Sequence, residues 1–81
     1  GKANVGKKGV VRDPKIHQMV LDNFVALAKR LDFTILGLTF SPVKGPEGNI
    51  EFLGHLTLVE QPGIEPDTAA LVSQAHETLK G

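Results

Sequence analysis

LGLTFSPVKGPEGNIEFL, running from Leu36 to Leu53, holds two strand-like runs around a loop punctuated by Pro42, Gly45, Pro46 and Gly48. Proline cannot donate to a strand ladder and glycine relieves tight turns, so the break between the runs is well marked. Working outward, Phe33–Phe40 (FTILGLTF) is apolar on both alternating faces, the pattern of a strand covered from two sides. Asn49–Val59 (NIEFLGHLTLV) reads the same way. A loop this short favours antiparallel pairing, because a parallel crossover needs about a dozen residues or more. Upstream, Asp13-Pro14 is a helix start: the carboxylate can accept from unpaired N–H groups, and proline is pre-set for the first turn. Ile16, Val20, Phe24, Leu27 and Leu31 then recur at helical spacing, widened by Met19, Val25 and Ala28. Downstream, Gln61–Glu65 is a loop. Asp67 can cap a last helix that carries Thr68, Leu71, Val72, Ala75 and Leu79 on one face, with Gly81 as its stop. The order is helix, strand, strand, helix.

Eighty-one residues make at most one small domain. Two strands that each want cover on both faces cannot complete a stable sheet, so the chain reads as the edge of a larger α/β sheet. Zero cysteines exclude a disulfide scaffold and a thiolate zinc site, which fits a reducing cytoplasm. No apolar run is long enough to span a bilayer, and Gly1–Arg12 is basic without the apolar segment of a signal peptide. A net charge of zero hides an asymmetry. Residues 1–44 carry eight of the nine Lys and Arg against three Asp, a balance of +5, while residues 45–81 carry one Lys against six acids, a balance of −5. The basic half can attract polyanions. Gly1–Arg12, with Lys2, Lys7, Lys8, Arg12 and no acid, reads as a flexible basic segment, and residues 13–81 as the folded part.

The Leu36–Leu53 stretch, together with GKKGVVRDP at Gly6–Pro14, resembles the C-terminal end of the hemolysin A-type (TlyA) proteins, FtsJ-like 2′-O-ribose methyltransferases of ribosomal RNA. The resemblance is strongest from Gly6 to Leu53 and weakens toward Gly81. It implies a C-terminal fragment of a methyltransferase domain: the antiparallel hairpin edge of a Rossmann-like, S-adenosylmethionine-dependent fold. The rest of that domain and an N-terminal RNA-binding domain would lie upstream. The implied localisation is cytoplasmic, and the implied partners are ribosomal RNA or ribosomal subunits, not a membrane. Alone, such a fragment is expected to be inactive and to self-associate through its sheet edge.

The family uses a Lys-Asp-Lys-Glu set, with the glutamate in a Gly-Asn-x-Glu context. By resemblance that catalytic carboxylate is Glu51, orienting a lysine amine that removes the proton of the ribose hydroxyl. Read without the family, Glu51 is better explained as a solvent-facing carboxylate at a strand end. Asn49 either hydrogen-bonds substrate or stabilises the turn after Gly48. Lys44 and Ser41 sit on the loop at the same edge, where Lys44 could meet an RNA phosphate or simply be solvated. Lys7, Lys8 and Arg12 form a denser basic cluster that could order on RNA.

Other signals fail. GKANVGKK at Gly1–Lys8 lacks the hydroxyl of a phosphate-binding P-loop, and Gly9 and Pro14 break the helix that should follow. His17, His55 and His76 show no metal-ligand spacing and read as structural or surface groups. The four phenylalanines are all plausible core residues, leaving no base-stacking platform. Two rival readings are a non-catalytic RNA-binding or scaffold module on a degenerate methyltransferase fold and a pore-forming hemolysin. Against the second, neither helix has a strongly basic polar face.

Overall fold

The structure is a computed structural model that describes residues 12–80. Helix α1 (Pro14–Arg30) leads into strand β1 (Thr34–Phe40); strand β2 (Phe52–Thr57) follows, and helix α2 (Thr68–Thr78) is the last element among the described residues. The two strands pair antiparallel, and the chain is a helix–hairpin–helix unit of α/β type.

Both helix starts lie where the sequence puts them. The Asp13 carboxylate accepts from Lys15 N at 2.9 Å, and the Asp67 carboxylate accepts from Ala70 N at 3.0 Å. Each satisfies a donor that has no partner inside its helix. Helix α1 stops by a Schellman arrangement: Phe33 N donates to Ala28 O at 2.9 Å and Asp32 N to Lys29 O at 3.1 Å. Asp32 takes the left-handed backbone there, with φ 66°, where glycine is the usual occupant.

Strand β1 is shorter at its start than Phe33–Phe40, and β2 is much shorter than Asn49–Val59. Asn49 is drawn into the loop, where its carbonyl accepts from Gly45 N at 2.8 Å, and the last strand-like bond is Ser41 N to Glu51 O at 2.8 Å. At the other end Val59 N turns back to Thr57 Oγ1 at 3.1 Å, which closes the strand. Beyond it, Ile64 N reaches Ile35 O at 2.9 Å and brings the connection to α2 back beside β1.

A bulge at Leu36 decides which strand residues meet the helices. Ile35 pairs with Leu56 and Gly37 with His55, so Leu36 has no partner of its own. The extra residue brings Ile35 onto the same face as Leu38 and Phe40, where simple alternation would have opposed them. That face, with Phe52, Gly54 and Leu56, lies under the helices. The ring of Phe24 from α1 packs so closely on Gly54 that a Cβ there would come within 2.8 Å of it. The opposite face carries Thr39, Leu53 and His55 and is open.

The apolar core consists of Leu21, Ala28, Ile35, Val72 and Ala75, with no large side chain fully buried among the described residues. On α1 the buried positions are His17, Leu21 and Ala28; of the Ile16–Val20–Phe24–Leu27–Leu31 stripe that dominates the sequence pattern, Phe24 alone is half-buried and the other four are not covered. Those four, with Met19, remain exposed, Leu31 at 55% and Val20 at 54%. The helix is apolar around more than half its circumference, and one hairpin and one helix cover only part of it. Across the helix pair, Thr68 Oγ1 donates to the Asp22 carboxylate, while the exposed Lys29–Glu65 ion pair at 2.7 Å contributes little.

Asp32→Gly is expected to stabilise the protein by about 1 kcal/mol, through relief of the left-handed conformation and removal of a negative charge from the helix C-terminus. Chemical denaturation of the two proteins side by side checks this. An unchanged midpoint would mean that Asp32 makes a compensating contact.

Candidate functional site

The loop between the strands closes on itself. Gly48 N donates to Gly45 O at 2.9 Å, and Gly48 has φ 77°, a conformation that favours glycine. The Asn49 side-chain oxygen accepts from Glu47 N at 3.3 Å, so Asn49 does the turn-stabilising work. Ser41 Oγ is engaged locally, accepting from Val43 N at 3.4 Å. These bonds hold the loop against the hairpin end without help from the helices.

Glu51 is exposed and follows this loop. Alternation from Phe52, which faces the helices, places Glu51 with Leu53 and His55 on the open face. Gly45 is what lets Asn49 and Glu51 come together. A Cβ on Gly45 would sit 2.7 Å from Asn49 Oδ1, 2.8 Å from its Nδ2 and 2.8 Å from Glu51 Oε2. A carboxylate and a carboxamide thus both come close to one bare backbone position, and each has polar atoms that can orient an amine or hydroxyl.

Arg12 ties the loop to the start of α1. Its guanidinium donates to Glu47 O at 3.0 Å and to Gly48 O at 3.4 Å. Next to this tether lies a pocket of ≈ 190 Å³ whose charged walls are Arg12, Lys44 and Lys80, with Gly48, Asn49, Ile50, Leu79, His17 and His76 completing it. No carboxylate lines it. Of the residues singled out in the sequence, Arg12, Lys44 and Asn49 therefore meet at one pocket, while Glu51 stands at the same hairpin end beside Asn49. Lys7 and Lys8 lie outside the described residues.

The histidine pair was not legible in the sequence. His17 Nδ1 and His76 Nε2 are 2.8 Å apart, and the His17 ring packs edge-on against Phe52 with centroids 5.4 Å apart. His17 is buried, as a structural histidine should be. The pKa of His76 is lowered below 6.5, first by burial and then by the neighbouring imidazole of His17, partly offset by Asp13. Among the described residues no group of three or more His, Cys, Asp or Glu is placed to hold a metal ion, and no helix is long and apolar enough to cross a membrane.

No family model matches the chain. It is 42% identical over 88 residues to a Bacillus subtilis protein provisionally named rRNA methyltransferase YqxC, covering 99% of this chain and 30% of that protein. It is 33% identical to hemolysin A of Brachyspira hyodysenteriae, over 70% of this chain and 24% of the relative. With the 16S/23S rRNA (cytidine-2′-O)-methyltransferase TlyA of Mycobacterium tuberculosis it shares 36% identity, over 64% of this chain and 19% of the relative. A solved structure of a protein provisionally named hemolysin from Streptococcus thermophilus superimposes with TM-score 0.78 at 40% identity, covering 90% of this chain and 27% of that one. A similarly named Lactococcus lactis protein gives 0.69 at 40% identity, over 82% of this chain and 33% of that one. The chain thus spans a third or less of these relatives and matches their C-terminal part.

Two outcomes follow from this geometry. Because the folded state holds His76 below its ordinary pKa, the unfolded chain takes up the proton first, and stability should fall as pH drops below about 6.5. Melting curves across that range should show the loss, and His76→Gln should flatten it; a slope unchanged in the variant would remove His76 from the account. Gly45→Ala should displace the Asn49 carboxamide and the Glu51 carboxylate, both flexible side-chain ends, while shifting the melting temperature by only a few degrees. Side-chain NMR signals of Asn49 that stay in place would show that the loop backbone had yielded instead.

Proposed function

The chain belongs to the hemolysin A-type (TlyA) family, and on that footing we propose that it forms the C-terminal part of an S-adenosylmethionine-dependent rRNA 2′-O-ribose methyltransferase. The observation that carries the reading is the meeting of Glu51 and Asn49 over Gly45 at the end of the hairpin. A ribose hydroxyl is a poor nucleophile, and a lysine that removes its proton must be close to neutral and correctly aimed. Glu51 is the orienting carboxylate for such an amine, supplied from outside this chain, and it is not itself the base. Asn49 holds the loop backbone and keeps Glu51 in register.

S-adenosylmethionine would supply an electrophilic methyl group. The pocket at the hairpin loop does not fit it: its walls are cationic, the wrong sign for a sulfonium. The cofactor therefore belongs to upstream parts of the domain, and this chain alone is inactive. The thin core, the open face carrying Leu53 at 52% exposure and the exposed stripe of α1 support a hairpin at the edge of a larger Rossmann-like sheet. Separated from that sheet, the chain would self-associate along its free strand edge. An rRNA substrate also implies a cytoplasmic protein.

The deciding experiment is methyl transfer from labelled S-adenosylmethionine to ribosomal subunits by the full-length protein and its Glu51→Ala variant. We expect turnover to fall by on the order of 100-fold or more with cofactor affinity retained. Equal loss of both would give Glu51 a structural role. RNA binding without transfer by the unaltered protein would favour a non-catalytic RNA-binding module.

A further inference from the structure

The pocket between the start of α1, the hairpin loop and the end of α2 is not used by the chemistry assigned to Glu51. Its charged walls come from three separate places in the chain: Arg12 before α1, Lys44 in the loop and Lys80 after α2. Cations gathered from three elements with no lining carboxylate make a field that selects an anion and rejects a metal ion or a sulfonium. Arg12 is already fixed by the carbonyls of Glu47 and Gly48, at 3.0 and 3.4 Å, and so is pre-organised. Lys80 pairs with Glu77 at 3.2 Å, but both groups are 70% or more exposed, and such a pair yields readily to a better-placed anion. The floor is the His17–His76 pair, whose 2.8 Å contact holds the two helix ends together beneath the cations. Asn49 belongs both to the pocket wall and to the Gly45 cluster with Glu51. An anion seated here is therefore next to the proposed reaction edge.

We propose that this pocket is a phosphate subsite that receives a backbone phosphate of the RNA substrate, with Arg12, Lys44 and Lys80 as its binding residues. The proposal rests on the reading of the chain as part of an RNA-modifying enzyme and adds to it Lys80 and the imidazole floor. Phosphate contacts fix register without reading sequence, so the subsite would position the target ribose and would not select the base.

The test measures binding of the full-length protein to an rRNA fragment over a salt series, with Lys44→Gln, Lys80→Gln and Glu77→Gln. The two lysines are exposed, so folding should survive, and circular dichroism verifies it. Each lysine variant should weaken binding several-fold and lower the slope of log affinity against log salt by about 1. Glu77→Gln, which frees Lys80, should tighten binding. Unchanged affinity and slope in both lysine variants would overturn the proposal. Inorganic phosphate serves as a second probe: it should shift the His76 imidazole signals, lose that effect in Lys80→Gln and be displaced by the rRNA fragment. A phosphate response that RNA cannot displace would also overturn it, in favour of a site for a small phosphorylated molecule. Methyl transfer by Glu51→Ala separates the two readings. Loss of transfer with unaltered lysine variants sinks the subsite alone, whereas weakened RNA binding with transfer intact in Glu51→Ala sinks the catalytic role of Glu51 alone.

Discussion

His17 is the point at which both helices and the hairpin meet. Its Nδ1 lies 2.8 Å from His76 Nε2, and its ring packs edge-on against Phe52 of β2. A buried polar group needs a partner, and a second imidazole is one for His17. One of the two nitrogens donates and the other accepts. This bond brings the start of α1 against the end of α2. Because the hairpin rests on the same ring, the position of the loop relative to both helices depends on it.

The loop end of the hairpin is divided by charge. On the open face stands Glu51, and beneath the helices lies the pocket walled by Arg12, Lys44 and Lys80. Asn49 joins the two halves, and Arg12 secures the loop by its backbone carbonyls. The loop can hold a carboxylate and a cation cluster close together because its own hydrogen bonds leave it little freedom. The opposed charges of the two halves of the sequence thus become neighbours in space.

Burial is incomplete in a consistent way. The core has only small and medium side chains, while Met19, Val20, Leu31 and Leu53 are each more than half exposed. Area removed from water is the main source of stability, and a unit this thin gains little of it. The chain matches only 30%, 27% and 33% of the lengths of three of its relatives, in keeping with apolar faces that are shaped to pack against more protein.

Much of the fold was legible because it rests on local chemistry. Asp13 and Asp67 announce their helices through hydrogen bonds to N–H groups two and three residues away. The prolines and glycines of Ser41–Gly48 mark the hairpin. What the sequence left open depends on register between distant segments. The His17–His76 contact joins residues 59 positions apart. The bulge at Leu36 moves Ile35 to the helix side only because Leu56 and His55 lie opposite it in the hairpin. The buried stripe of α1 was chosen from several apolar ones by what happened to lie against it. Periodicity along one chain determines that a helix has an apolar side; packing between elements decides which side is buried, and hence where Lys80, Lys44 and Arg12 converge.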